Sequence, residues 1–248
     1  VGDLVIGGGG PVVIQEMTST STSDIEKTIS QIDGLAASGC RLIRVAVPDV
    51  EAANALHALK KRTDVCLVAD IHFDYRLALL SIENGADKLR LNPGNIGSNR
   101  KVREVVSAAR DRGVPIRIGV NSGSLQRDLI EKYGGITAEG LVESALAEVL
   151  LLEDSGFHEI VISIKASDID LTIRANRILA EKVSYPIHIG ITESGYADAG
   201  IIRSVVGLGT LLLDGIGDTI RVSLTSRDRS DNVTVCKHIL QELSIPYV

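Results

Sequence analysis

Tryptophan is absent from the 248 residues, and aromatic residues together make up only 3%. That argues against a surface built to stack unpaired bases. Cysteine is scarce as well. Cys40, Cys66 and Cys236 are odd in number, lie far apart and form no CxxC pair or other local metal-ligand spacing, which argues against a disulfide framework or a structural zinc site. No apolar run reaches the length of a membrane span, and the N-terminus lacks a basic-then-apolar leader pattern. Positive charge is in deficit: 26 Lys and Arg against 32 Asp and Glu leave a formal net charge of −6. Neither a general nucleic-acid binder nor a polybasic membrane surface fits that balance. What remains, 44% hydrophobic and 23% charged, is the composition of a soluble globular protein with a sizeable core, expected in a reducing cytoplasm.

The hydrophobic period switches repeatedly between strand-like and helix-like. Runs rich in β-branched residues start near Pro11, Arg41, Val65, Lys88, Pro115, Glu159, Pro186 and Thr219, eight strand candidates in all. Between them, Ile25, Ile29, Ile32 and Leu35 recur at the spacing of one helix face, with Ser23 and Glu26 forming a capping-box signature. Leu141, Ala145, Leu146, Val149 and Leu152 repeat the pattern, with Thr137 as N-cap. Gly39, Gly85, Gly113 and Gly156 each close a helical stretch just before a strand, where a left-handed backbone favours glycine. Alternating βα units of about thirty residues, repeated eight times, predict an α/β fold, a parallel (β/α)₈ TIM barrel. A doubly wound open sheet is the rival, because periodicity does not prove closure. Gly7 to Gly10 is expected to join a short N-terminal hairpin to the first strand, and Gln126 to Gly135 to form an extended βα loop. No linker divides the chain, so residues 1–248 are expected to form a single barrel domain.

Strands of a parallel barrel are covered on both faces and read as nearly continuous Val, Ile and Leu. Five of these strands instead carry a basic residue: Arg44, Arg90, Arg117, Lys165 and Arg221. Residues two apart share a face. Arg90 thus goes with Asn92, Arg117 with Gly119 and Asn121, Arg221 with Ser223, His188 with Gly190 and Thr192, and Asp70 with His72, while Gln15 sits late in the first strand. The polar residues share one parity and crowd toward the C-terminal halves of the strands, the end where such barrels place their sites. Only Asp70 and Glu193 are near enough in sequence to act as counter-ions. An acidic protein that concentrates cations in one layer is suited to an anionic ligand, and the number of cations points to two phosphoryl groups. Each charge-assisted bond from an Arg fork would contribute about 1.5–3 kcal/mol. Glu193 is a candidate acid/base. His188 and the three cysteines read as core.

The stretches VADIHFDYRLAL (68–79), LRLNPGNIG (89–97), PIRIGVNSGSL (115–125), KASD (165–168), GITESG (190–195) and GIGDTIRVSL (215–224) occur in one order along the chain. Together they closely resemble the 4-hydroxy-3-methylbut-2-en-1-yl diphosphate synthase family of the non-mevalonate isoprenoid pathway. The resemblance implies reductive opening and dehydration of 2-C-methyl-D-erythritol 2,4-cyclodiphosphate, with electrons from ferredoxin or flavodoxin passing through a [4Fe–4S] cluster. It also implies that Gln15, Arg44, His72, Arg90, Asn92, Arg117, Asn121, Lys165, Thr192, Arg221 and Ser223 hold the diphosphate, and that Glu193 moves a proton near the departing hydroxyl. The family's cluster is held by three cysteines and a glutamate in a C-terminal domain, expected to be absent from this chain. Family members are homodimers in which one subunit's cluster domain covers the other's barrel. The isolated chain is then expected to bind diphosphate without turnover. Glu16 stands where the family usually has serine, and Ser194 where it usually has alanine.

Two other readings remain open from the residues. One is a class I aldolase acting on a phosphorylated sugar, with Lys165 as Schiff-base lysine. The other is a phosphate-binding or regulatory barrel without catalysis.

Overall fold

The computed structural model describes residues 1–248. All eight expected strands form: β1 (Val13–Met17), β2 (Leu42–Ala46), β3 (Cys66–Asp70), β4 (Lys88–Arg90), β5 (Ile116–Asn121), β6 (Ile160–Lys165), β7 (His188–Ile189) and β8 (Thr219–Ile220). They lie in one sheet in the order β6-β5-β4-β3-β2-β1-β8-β7, and a parallel bridge between Ile162 and Ile187 links the two end strands. The ring of strands therefore nearly closes, and the fold is a (β/α)₈ barrel rather than an open sheet. The helices are α1 (Ile25–Ala37), α2 (Val50–Lys60), α3 (Tyr75–Glu83), α4 (Asn99–Arg112), α5 (Arg127–Tyr133), α6 (Ala138–Glu153), α7 (Ile169–Ala180), α8 (Ala197–Leu213) and α9 (Ser230–Glu242). None is long and apolar enough to cross a membrane.

The chain divides into two compact units, one of Val1–Leu4, Gln15–Ile118 and Glu148–Ile160, the other of Val5–Ile14, Gly119–Ala147 and Val161–Val248. In the first unit the register aligns Gln15 with Leu42, Arg44 with Val68, Ala46 with Asp70, Val68 with Lys88, Asp70 with Arg90 and Arg90 with Arg117. Aligned residues of parallel strands share a face. One face of these strands thus carries the polar row, and the other carries the fully buried aliphatics Ile43, Leu67, Leu89 and Ile116. In the second unit Val13 and His188 both align with Thr219.

The helix joins follow the glycine pattern. Gly39, Gly85, Gly113 and Gly156 all have positive φ (88°, 91°, 63° and 68°), where a Cβ would be strained. Thr137 caps α6 by accepting from the Gly140 amide at 3.1 Å. Three expectations need correction. The α1 N-cap is Asp24, which accepts from the Lys27 amide, not Ser23; Glu26 instead pairs with Arg62. A carboxylate one residue further on competes successfully with the serine hydroxyl for the same first-turn donors. Residues 1–11 carry turns and no paired strands, so there is no N-terminal hairpin; Gly7, Gly8 and Gly9 all have positive φ, a backbone that breaks an extended run. The stretch from Gln126 to Gly135 is not one loop but contains α5, closed by Gly134 in the left-handed region at φ 68°.

Candidate functional site

The first unit's polar row is built around one carboxylate. Asp70 ends β3 with only 3% of its side chain exposed. Arg90 Nη1 donates to its Oδ1 at 3.3 Å, while Arg44 Nη2 lies 3.5 Å and His72 Nε2 3.4 Å from its Oδ2. Burial by itself pushes the Asp70 carboxyl up, but Arg44, His72 and Arg90 outweigh it and hold the group far below the usual carboxylate range. Asp70 is therefore a fixed negative charge. Arg44 is further aligned by donation from Nε to the Met17 sulfur at 3.1 Å. Arg117 is buried next along the same face, and Gln15 is fully buried with neither amide atom bonded by another protein group. Asn92, half-buried, follows β4 two residues beyond Arg90. His72 is mostly exposed at the strand end, an accessible imidazole touching Asp70.

Lys88 belongs to this row and was not among the expected site residues. It is fully buried, its Nζ has no hydrogen-bond partner, and burial, helped by the charge of Arg117, drives its amine well below the usual lysine range. The signal was present in the sequence, because Lys88, Arg90 and Asn92 fall at successive two-residue steps.

In the second unit Lys165 is held by a neutral partner. Lys165 ends β6, and the bridge from Ile162 to Ile187 carries it opposite Gly190. A Cβ at Gly190 would lie 2.5 Å from Lys165 Nζ and 2.8 Å from the Arg221 carbonyl oxygen, so the lysine crosses this position only because it is glycine. Lys165 Nζ is 2.9 Å from His188 Nε2, and His188 Nδ1 is 2.6 Å from Thr219 Oγ1. A protonated amine only donates, so Nε2 accepts, and Nδ1 carries the ring proton and donates to Thr219. His188 is buried, as its pattern predicts, but it orients a cation rather than merely filling space.

The turn after β7 is pinned on both sides of Glu193. Asn121 Nδ2 donates to Thr192 Oγ1 at 3.1 Å, while Ser194 sends both its amide (3.1 Å) and its hydroxyl (2.8 Å) to the Ser223 carbonyl. Between them Glu193 is exposed, has φ 48° and forms no ion pair. A non-glycine residue held at positive φ is strained, and such strain persists only where the surroundings impose it. The expectation that Glu193 serves as a counter-ion is therefore not met. Arg221 and Ser223, half-buried, follow β8 at alternating positions.

The cysteines do not fit an iron–sulfur cluster. All three are buried, Cys40 and Cys66 donate to the carbonyls of Leu42 and Val1, and no group of three or more His, Cys, Asp or Glu side chains is placed to hold a metal.

Residues 1–237 match the family model described as the GcpE TIM-barrel domain. The chain is 56% identical over 245 residues to 4-hydroxy-3-methylbut-2-en-1-yl diphosphate synthase (flavodoxin) of Caldanaerobacter subterraneus subsp. tengcongensis, covering 99% of this chain and 69% of that protein. It is 54% identical to the Bacillus subtilis enzyme of the same name, covering 99% and 65%. The chain belongs to the 4-hydroxy-3-methylbut-2-en-1-yl diphosphate synthase family. It carries the TIM-barrel domain of an oxidoreductase of isoprenoid biosynthesis and spans about two thirds of the length of these relatives. The family match does not favour the aldolase reading of Lys165. Among solved structures the fold is shared with Yersinia pestis dihydropteroate synthase (TM-score 0.65, 13% identity, 95% and 94% coverage). It is also shared with a truncated 3-deoxy-D-arabino-heptulosonate 7-phosphate synthase of Thermotoga maritima (TM-score 0.66, 17% identity, 100% and 93% coverage). Of the two departures from the family's usual residues, Glu16 is buried in register with Ile43, on the face opposite the cations, and does not join their row. Ser194 adds the hydroxyl bond to Ser223 described above.

Proposed function

We propose that this barrel binds 2-C-methyl-D-erythritol 2,4-cyclodiphosphate through Gln15, Arg44, His72, Arg90, Asn92, Arg117, Asn121, Lys165, Thr192, Arg221 and Ser223, and that Glu193 moves a proton at the hydroxyl being lost. The observation that carries this reading is a surplus of cations in an acidic protein: Arg44, Arg90 and Arg117 share one strand face with a single carboxylate, Asp70. Asp70 orients Arg44 and Arg90 before any ligand arrives, so less side-chain freedom is lost on binding. The guanidinium groups then take phosphoryl oxygens as charge-assisted, fork-like donors. Lys165, held by His188, presents a compact ammonium to the same class of acceptor. Glu193 stands exposed on a turn that Asn121 and Ser223 hold from either side, suited to proton transfer from a fixed position.

The family's [4Fe–4S] cluster, when bound, would provide electron transfer for the reductive opening. We assign its ligands to residues outside these 248, with flavodoxin, the donor in the relatives' names, or ferredoxin as reductant. The whole protein works as a cytoplasmic homodimer in this reading, and residues 1–248 form its single barrel domain, which binds without turnover. Calorimetry with the cyclic diphosphate at low and high salt tests the reading. Saturable heat that weakens with salt is expected, and no heat at either salt concentration would refute it. Arg117→Ala and Arg221→Ala should each weaken binding at least about tenfold, the loss of one charge-assisted contact; unchanged affinity in both would return them to purely structural roles.

A further inference from the structure

The buried stripe of α6 contains a carboxylate. Glu148 lies three residues after Ala145 and beside Val149, is 4% exposed, and forms no ion pair. A charge at a core-facing helix position is destabilising unless a strong hydrogen bond meets it. Here Oε2 accepts from the Gly94 amide at 2.6 Å. The approach is so close that a Cβ at Gly94 would lie 2.5 Å from Oε1 and 3.2 Å from Cδ.

Gly94 is the second residue of the 3₁₀ turn Pro93–Asn95, whose N-cap is Asn92, extended at φ −113° and ψ 113°. Asparagine at that position ordinarily turns its side-chain oxygen onto the second or third amide of its own turn. Pro93 has no amide hydrogen, so the Gly94 N–H is the donor Asn92 would take first. Asn92 makes no such bond. Elsewhere in the chain the equivalent residues do: Asp49, Asp74 and Asp168 cap their own helices, and Asn121 accepts from Gly123.

We propose that Glu148 is a positioning residue for ligand binding: by occupying the Gly94 amide it keeps the Asn92 carboxamide off its own turn and directed to the substrate. This rests on Asn92 being a substrate ligand, as proposed above. Burial pushes the Glu148 carboxyl above its usual range, and the Gly94 bond offsets only part of that shift. The device is neutral toward the fold. An apolar chain of the same length would pack at this core position at least as well, while leaving Asn92 to collapse onto Gly94.

The test is calorimetry of the cyclic diphosphate on the 248-residue chain carrying Asn92→Ala, Glu148→Met, Glu148→Gln, and Asn92→Ala with Glu148→Met. Asn92→Ala and Glu148→Met should each weaken binding about tenfold, the Glu148→Met melting temperature should not fall, and Glu148→Gln should bind within about threefold of the native chain because its amide oxygen still accepts. The double variant should bind no more weakly than Asn92→Ala, since both changes act through one contact. Native affinity in Glu148→Met, or losses that add in the double variant, would overturn the proposal. Native affinity in Asn92→Ala would instead remove the substrate-ligand reading on which it rests, and the proposal with it. Hydrogen exchange on the native chain gives a check that needs no variant: the amide of Gly94, an exposed residue, should exchange slowly, and exchange at the rate of an open loop would show that Glu148 does not hold it.

Discussion

The two units solve the same problem, holding cations still beneath a surface, by opposite means. In the first, Arg44 and Arg90 are oriented by a buried opposite charge, Asp70. In the second, Lys165 is oriented by an imidazole, which is in turn oriented by the Thr219 hydroxyl, with no carboxylate in the chain of bonds. A buried counter-charge is strong but cancels part of the positive field and makes the site depend on one ionised group. Neutral partners preserve the full charge of the lysine, but each bond contributes little stability by itself. The first arrangement suits a row of several guanidinium groups that repel one another; the second suits a single ammonium.

The largest expected effect comes from breaking the charged arrangement. Asp70→Ala leaves Arg44 and Arg90 without their shared carboxylate and should cost about 3–5 kcal/mol in urea denaturation, the range for removing one partner of a buried pair. A cost under about 1 kcal/mol would mean the pair is solvated and the contrast between the units is false. Lys88→Met, in the same row, should act in the opposite direction and stabilise the chain by about 1–4 kcal/mol, because a buried amine with no partner is replaced by an apolar chain of similar length.

Acid and base should separate these two groups. The folded Asp70 carboxyl lies below its unfolded value, so its contribution to stability is complete above the ordinary carboxylate range and is lost as pH falls through and below it. Asp70→Asn should remove that part of the acid slope. The folded Lys88 amine is also lowered, so below the ordinary lysine range the unfolded chain binds a proton that the native protein refuses. The advantage of Lys88→Met should therefore grow as pH is brought down from above that range toward neutrality. Denaturant melts across pH follow both trends, and a flat difference for either variant would contradict its assignment.

In the second unit, Gly190→Ala drives a methyl group into the Lys165 amine and the Arg221 carbonyl and should cost about 1–3 kcal/mol, the penalty of overpacking. It should also weaken diphosphate binding more than it lowers stability predicts for an unrelated site. Thr219→Val, which removes only the neutral support behind His188, should cost about 1 kcal/mol. An effect as large as that of Asp70→Ala would show that the neutral chain of bonds is as essential as the buried charge.

Much of this was legible in the residues. Strand positions, the parity of Arg44, Asp70, Arg90 and Arg117, and the helix-closing glycines follow from local rules, because side-chain alternation and the left-handed region depend on a few neighbouring atoms. The α1 N-cap falls one residue beyond the expected Ser23 because Ser23 and Asp24 both fit the local rule, and the choice depends on which side chain reaches the first-turn amides. Lys88 belongs with Arg90 by its two-residue spacing, but only the fold shows that its amine is buried without a partner. Glu148 shows a different limit: its position in the α6 stripe marks it as anomalous, yet its partner, the Gly94 amide, is 54 residues away in sequence.

Local spacing along the chain, set by the two-residue repeat of strands and the 3.6-residue repeat of helices, determined the βα alternation and which side chains share a face. Which partner each polar group meets was decided only by the folded backbone. Asp70 reaches Arg44 and Arg90 through the strand register, Lys165 reaches His188 across a glycine, and Glu148 reaches a loop amide because packing brings it there. Hydrogen bonds and ion pairs act over a few ångströms, and only the fold converts distance along the chain into distance in space.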